Sequence, residues 1–390
     1  MESGLTLKII VANRSNCISS PGGDTVQMLK TIEYLKKNDI DVNMCLSPEE
    51  IIKDNDSSIV HIFNIQTIDE TLEFIKVSKS SGKKIVLSPI YWDLSHSVFV
   101  NKMFEMFNFL NNRHLKKLKN ICFNFTFFIH CVFKIHNNNG YGTKGYLEKR
   151  KKALSEADFI LPNSNEEFDI LCKEFRLEKE TFSKKTVIIP NAVEIERDKV
   201  RINCTEVENH ALGDLKDFIL EVGRIEINKN QYGIVKSLLN RPEIPIVFIG
   251  RIGEGKTNID YYYNLKKIAK VRGNIFFINQ IPQEEVFEYY KRARVHVLPS
   301  FRESPGLSSL EALFFGCEIV TSSSEFCPID YYKFNKKAHI CDPYNIKSIK
   351  NAILDAYYNP KNTSFDEEYF EFFSYRNVSY LMKQIYDSLT

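Results

Sequence analysis

The stretch Arg294 to Ser324, RVHVLPSFRESPGLSSLEALFFGCEIVTSSS, decides the fold. Val295, Val297 and Leu298 read as a short buried strand, Pro299 to Pro305 as a turn, and the following helix stops at Gly316 before a second apolar run, Glu318 to Thr321. That order makes a β-loop-α-β unit. On the helix, Leu307, Leu310, Glu311 and Phe314 stand at relative positions 0, 3, 4 and 7, so the Glu311 carboxylate shares a face with three apolar side chains. An ionised carboxylate drawn out of water is costly unless donors meet it, so either protein groups or ligand hydroxyls must do so. Glu303 lies eight positions earlier, in the loop that feeds the helix. The helix start between the two acids offers free N–H groups and a partial positive charge, which suit a phosphate. The other reading of these residues is a surface Glu303 and a salt-bridged Glu311.

Working back from this unit, a strand over Phe218 to Gly223 runs into Arg224 and, five residues on, Lys229. Lys229 falls near the start of a helix carrying Ile234, Val235, Leu238 and Leu239. A cation there opposes the helix macrodipole, so a negative group is expected beside it; the alternative is a surface Arg and a surface Lys. Ile246 to Ile249 is a strand leading to Gly250, Gly253 and Gly255, a tight turn, and Asn274 to Ile278 is a strand followed by the bend Asn279 to Pro282.

The first part of the chain repeats the alternation. Leu7 to Ala12 is a buried parallel strand, Asn13 to Asp24 a loop holding Gly22 and Gly23, and Thr25 to Lys37 a helix with Val26, Leu29, Ile32 and Leu35 on one side. Glycines beside a helix start let an anionic ligand approach main-chain N–H groups, although a plain turn has the same sequence. The pattern is not G-x-G-x-x-G, which argues against a dinucleotide oxidoreductase. Strands at Val42 to Leu46, Ser58 to Phe63 and Lys84 to Ser88 follow, with helices between, as in a doubly wound parallel sheet. Asp93 and His96 come just after the last of these, where open α/β sheets place ligands. They are candidates to touch a ligand, with a satisfied structural histidine as the alternative for His96. Ala157 to Phe175 is strand, turn and helix, and Thr186 to Glu194 a strand. Glu194 to Lys216 reads as a linker, and Phe370 to Leu389 as a final helix.

Composition excludes several classes. At 390 residues the chain exceeds one usual domain, and 52 Lys and Arg against 50 Asp and Glu give +2, no field for nucleic acid. Nine cysteines, odd in number and without a Cys-x-x-Cys pair, fit a reducing cytosol better than disulfides or zinc. The six-residue apolar run at Leu7 to Ala12 is too short for a signal sequence. Asp54-Asn55-Asp56 reads as a solvated turn. Residues 99–136 combine aromatic and apolar side chains with the basic NNRHLKKLKN; this suits either an interfacial membrane helix or helices packed on a core, and the 13-residue run ICFNFTFFIHCVF is too short and polar to cross a bilayer.

Glu303 and Glu311 form a Glu-x7-Glu motif that resembles the signature of the retaining glycosyltransferases of family 4. ILEVGRIEINKNQ (219–231), IVFIGRIGEG (246–255) and FFINQIPQEEVFEYYKRARVHVLPS (276–300) precede it in that family's order and spacing, and the resemblance runs from about Ala157 to Ser324. It implies an α/β chain of GT-B fold: two Rossmann-like doubly wound domains facing across a cleft. They are expected over 1–198 (acceptor side) and 199–370 (nucleotide-sugar side), with a helix at 371–390 crossing back to the first. It implies Arg224, Lys229 and Glu303 as catalytic residues, the two bases holding the donor diphosphate and Glu303 orienting the transferred sugar. The N–H groups of Gly306, Leu307 and Ser308 would share the charge, Glu311 would accept from the ribose hydroxyls, Gly22 and Gly23 would lie near sugar and diphosphate, and the ligand of Asp93 and His96 would be sugar or acceptor. The bend holding Ile281 would seat the nucleobase against main chain. No metal or other cofactor is called for. Partners would be a nucleotide-sugar donor, a glycan or lipid-linked acceptor and, through 99–136, a membrane surface, with no nucleic acid. The expected place is the cytoplasm or the inner membrane face, in polysaccharide or glycoconjugate biosynthesis. Two departures stand out: Ser88 and Pro89 occupy positions near which the family carries a His, and Asn191-Ala192 replaces Asn-Gly. The rivals are a GT-B nucleotide-sugar epimerase and a non-catalytic binding module of the same fold.

Overall fold

The computed structural model describes residues 7–109, 144–194, 213–361 and 367–390. In chain order the elements are β1 (Lys8–Ala12), α1 (Gly23–Lys37), β2 (Asp41–Cys45), α2 (Pro48–Lys53), β3 (Ile59–Phe63), α3 (Ile68–Ser80), β4 (Lys84–Ser88), α4 (Ser95–Phe109), α5 (Lys144–Glu156), β5 (Phe159–Ile160), α6 (Asn165–Glu174) and α7 (Lys179–Ser183). There follow β6 (Phe218–Val222), α8 (Gln231–Ser237), β7 (Ile246–Ile249), α9 (Lys256–Arg272), β8 (Ile275–Ile278), α10 (Gln283–Arg292), β9 (Ala293–Leu298), α11 (Leu307–Phe314), β10 (Glu318–Ser322), α12 (Phe334–Lys337), β11 (His339–Cys341), α13 (Ile346–Tyr358), α14 (Glu367–Phe372) and α15 (Tyr375–Asp387). They form two compact units, the first drawn from 1–92, 142–195 and 366–390, the second from 93–141 and 196–365.

Each unit holds one all-parallel sheet, ordered β2-β1-β3-β4-β5 in the first and β11-β10-β9-β6-β7-β8 in the second. Parallel strands covered on both faces need unbroken apolar runs, and Ile9, Ile10 and Val11 of β1 and Ile246, Val247 and Phe248 of β7 are fully buried. The strand order reverses between β1 and β3 and between β6 and β9. At such a switch point adjacent loops diverge to opposite faces and leave a crevice at the strands' carboxyl ends.

Four elements differ from their reading in the sequence. Helix α4 joins the second unit, because Phe99, Val100 and Met103 are buried in one cluster with Ile225, Ile234 and Phe301. The rest of the aromatic and basic stretch, 110–136, lies outside the described residues, as does most of the linker read at Glu194 to Lys216; no described helix is long and apolar enough to cross a membrane. The buried side of α1 runs through Met28, Ile32 and Leu35 together with Gln27 and Thr31, leaving Val26 and Leu29 exposed. The cause is α15: the Gln27 amide donates to Tyr375 Oη at 2.9 Å and to Ala192 O at 2.8 Å, so a polar residue is wanted inside. Thr186 to Glu194 runs beside β5 through Val187 N to Ile160 O (3.1 Å) and Ile189 N to Pro162 O (2.9 Å), and then Pro190, lacking an N–H, ends the ladder. The final helical segment is broken at Ser374, whose hydroxyl caps α15 by accepting from Asn377 N at 3.1 Å.

Candidate active site

The second unit's switch point is built from the loops that leave β6 and β9. Asn228 and Asn230 lace them together. Phe301 N donates to Asn228 O at 2.9 Å, the Asn228 amide to Arg302 O at 3.0 Å, and the Asn230 amide to Pro299 O at 3.2 Å. Asn230 also caps α8, its side-chain oxygen accepting from Gly233 N at 3.2 Å. Between them Ile227 to Lys229 forms a 3-10 turn, and the lacing brings Lys229 against Glu303. The Lys229 Nζ to Glu303 Oε1 distance is 2.6 Å, with side chains only 18% and 8% exposed. The negative group that the helix start demanded beside Lys229 is Glu303.

Two glycines make this possible. A Cβ on Gly250 would sit 2.0 Å from the Gly223 carbonyl oxygen, so the loop after β7 can lie on the loop after β6 only without a side chain. Gly306 has φ +87, and a Cβ there would come within 2.9 Å of Leu298 Cδ2 and 3.6 Å of Glu303 Oε2. Glycine therefore lets the Glu303 carboxylate lie beside the start of α11, at whose first turn Leu307 and Ser308 are half-buried.

The other expected residues divide into pairs. Arg224 turns its Nε to Glu226 Oε2 at 3.4 Å, with its side chain 39% exposed, so among the described residues the two bases are paired with different acids. Glu311 lies at the margin of the buried face of α11, which runs through Ser309, Leu310, Ala312 and Leu313. Its partners are protein groups: the Gln283 amide and Tyr290 Oη (3.1 Å), both on α10. Burial pushes its carboxyl up to about 7. Ile281 is half-buried in the loop between β8 and α10, two residues before Gln283.

In the first unit, Gly22 caps α1 and its N–H meets Thr25 Oγ1 at 3.3 Å, while Gly23 opens the helix. Beside them Arg14 Nε meets Asp24 Oδ2 at 2.9 Å. Burial pushes the Asp24 carboxyl up, but the bond and charge of Arg14 outweigh it and leave the group below its usual range. Asp93 accepts from Ser95 N at 2.8 Å at the start of α4. His96 bridges Tyr344 Oη and Glu325 Oε1, each at 3.0 Å, and rests on the Phe326 ring, all within the second unit. Asp54 accepts from Asn43, Ser57 and, as an ion pair, Lys83. Among the described residues no group of three His, Cys, Asp or Glu is placed to hold a metal.

Several residues of this site escaped the sequence reading. Glu221, fully buried in β6, receives the Gln231 amide on both carboxyl oxygens at 3.0 and 3.1 Å. An acid inside the apolar run FILEV was the available signal. His296, also fully buried, has Nδ1 3.4 Å from Ser309 Oγ and its ring edge-on to Tyr290; burial and the Lys229 charge push it down to about 3. Gln283 and Tyr290 gave no sign beyond the amphipathic pattern of α10.

Residues 205–368 match the model of the family described as "Glycosyl transferases group 1". An O-antigen chain mannosyltransferase B of Escherichia coli is 26% identical over 144 residues, 36% of this chain and 36% of that protein. A D-inositol 3-phosphate glycosyltransferase of Corynebacterium diphtheriae is 24% identical over 188 residues, 46% of this chain and 43% of that protein. The matches thus span less than half of these relatives' own lengths. Among solved structures, sucrose-phosphate synthase of Thermosynechococcus elongatus superposes with TM-score 0.71 at 14% identity, covering 98% of this chain and 99% of that one. Anabaena HepE, solved in complex with UDP-glucose, gives TM-score 0.67 at 12% identity, covering 98% and 100%. Residues 205–368, most of them in the second unit, thus resemble glycosyl transferases group 1, and the chain's two parallel-sheet Rossmann-like units match the fold of GT-B glycosyltransferase structures.

Proposed function

We propose that the protein is a retaining glycosyltransferase of the family 4 type, moving a sugar from a nucleotide-diphosphate sugar to a glycan or lipid-linked acceptor in the synthesis of a polysaccharide or glycoconjugate. The observation that carries the reading is the Lys229–Glu303 pair, 2.6 Å apart beside the start of α11 at a sheet's switch point. An ammonium and a carboxylate held by one another need no ligand to be neutral, but a diphosphate offers the ammonium more negative charge than a single carboxylate does. Donor binding then draws Lys229 to the phosphates and releases Glu303 to hydroxyls of the sugar. Arg224 adds the second positive charge, the N–H groups of Gly306, Leu307 and Ser308 add partial charge, and these stabilise the leaving diphosphate without calling on a metal. Glu311 exchanges Gln283 and Tyr290 for ribose hydroxyls. No carboxylate is identified as a nucleophile for double displacement, so we assign a same-face departure in which the leaving phosphate accepts the proton of the acceptor hydroxyl.

The test is incubation of purified protein with a panel of nucleotide-sugars, following sugar release and transfer. One donor is expected to be slowly hydrolysed, and Glu303→Gln is expected to slow it about 10²-fold with donor binding kept. Full activity in Glu303→Gln would remove the role given to that residue. Conversion of donor alone into an isomeric nucleotide-sugar would mark an epimerase, and no binding of any nucleoside diphosphate would mark a non-catalytic module.

A further inference from the structure

Beneath the Lys229 turn lies a buried polar array that the proposed reaction does not use. Glu221 sits in the middle of β6 with no exposed surface, and both its oxygens accept from the Gln231 amide nitrogen. That same nitrogen donates to the Arg224 carbonyl at 3.0 Å. Gln231 is itself held, its side-chain oxygen accepting from Tyr261 Oη at 3.3 Å, while Tyr261 Oη accepts from Tyr232 N at 2.8 Å. On its other side, Glu221 abuts the Gly223 segment on which the Lys229 stem rests. A Cβ on Gly223 would lie 3.4 Å from Glu221 Oε1 and 3.5 Å from Lys229 Cε. An acid in a strand interior is costly, and an apolar residue would fill the position at lower cost unless the carboxyl has a task.

We propose that Glu221 is a positioning residue for the diphosphate end of the donor site: through Gln231 it sets the main chain at Arg224, and against Gly223 it sets the stem of Lys229, without touching ligand. This rests on the reading of Arg224 and Lys229 as diphosphate-binding groups. The hydrogen-bond donor it meets is one neutral amide, which favours the uncharged carboxyl. Burial does hold it well above its ordinary range, against the pull of Lys229 and Gln231. The charged and titratable groups that face it are Lys229, Glu226 and Glu303, with Tyr261 from α9 and Tyr290 across the sheet. As pH rises and Glu221 ionises, its charge competes with Glu303 for Lys229 and repels a diphosphate, so affinity for the diphosphate falls.

The experiment measures binding of UDP, GDP, ADP and dTDP by calorimetry to wild type, Glu221→Gln, Glu221→Leu and Gln231→Leu across pH, with the thermal midpoint of each. For the diphosphate that wild type binds, Glu221→Leu and Gln231→Leu are expected to weaken binding about tenfold, the loss of roughly one buried hydrogen-bonded contact. Glu221→Gln is expected to bind within about threefold of wild type at the pH where wild type binds most tightly and to lack the fall in affinity as pH rises. A purely structural Glu221 would lower the midpoints and leave affinity and its pH profile unchanged, which overturns the proposal. If Glu221→Leu does not fold, the other two variants decide in the same terms. Absence of binding by wild type to all four diphosphates overturns the donor-site reading and this inference together, whereas wild-type binding with unaltered variants overturns this inference alone.

Discussion

Each unit buries a glutamate near the carboxyl ends of its strands, and the two are satisfied in different ways. In the first unit, Glu167 on α6 is fully buried and accepts from two main-chain amides, Tyr91 N at 2.5 Å and Asn163 N at 2.6 Å. In the second, Glu303 meets the end of one side chain, Lys229. The first arrangement pins the loop after β4 to the loop after β5, and the acid cannot change partner unless a loop moves. The second can open by rotation about side-chain bonds. A buried acid held by the backbone is a staple, while one held by a flexible cation can be exchanged for a ligand.

The strongest way to break this contrast is Lys229→Gln. If Glu303 and Lys229 are exchangeable partners that a diphosphate separates, donor turnover should fall about 10²- to 10³-fold, read in a single-turnover assay. Unaltered turnover would make the pair as structural as Glu167. The converse change, Glu167→Ala, leaves two buried amides without acceptors and should cost about 2–3 kcal/mol by urea denaturation, with nucleoside diphosphate affinity unchanged in the folded protein. A shift in affinity would dissolve the division of roles.

A pH series sharpens the same point. Burial raises the Glu167 carboxyl from about 4.5 to about 8, against the two amide bonds that favour its charge. Because the folded value lies above the unfolded one, the stability it contributes is fully present below about 4.5 and is lost as pH rises through about 8. Wild type should therefore lose stability over that window relative to Glu167→Gln, which carries a constant penalty and no such slope. Parallel curves would show that the acid is already charged at low pH. The smallest expected effect is at Gln283. Removing its amide in Gln283→Ala frees one oxygen of Glu311 and should tighten nucleoside diphosphate binding about threefold by calorimetry, the worth of one competing hydrogen bond.

These pairings were legible in the sequence to different degrees. The strands were plain, since parallel strands buried on both faces must be unbroken apolar runs, and β4 and β7 begin and end at the residues read for them. Lys229 and Glu303, 74 residues apart, were legible as complementary demands. A cation at a helix start wants an anion, an acid near an apolar face wants donors, and the family resemblance linked the two. Glu221 was not legible, because one charged residue in a strand reads equally as an edge position or a buried one, and only the location of β6 inside the sheet decides. Gln27 failed for the same reason: its partners at Ala192 and on α15 come from 165 and 348 residues away. Phe99 and Met103 said that α4 is buried on one side, yet nothing in their spacing says which unit covers them.

The first unit closes only when residues 367–390 arrive. His61 in β3 bonds Tyr386 Oη at 2.7 Å, and Tyr375, Val378 and Met382 complete the cluster around Ile9 and Val11. On the ribosome that helix follows the segment 196–365, ~170 residues that take on the order of ten to thirty seconds to translate at ~5–20 residues per second. Synthesis thus finishes the second unit's sheet while that of the first still lacks its cover, inverting the usual order in which nascent domains mature. The nascent chain then shows chaperones a half-roofed N-terminal sheet throughout that interval.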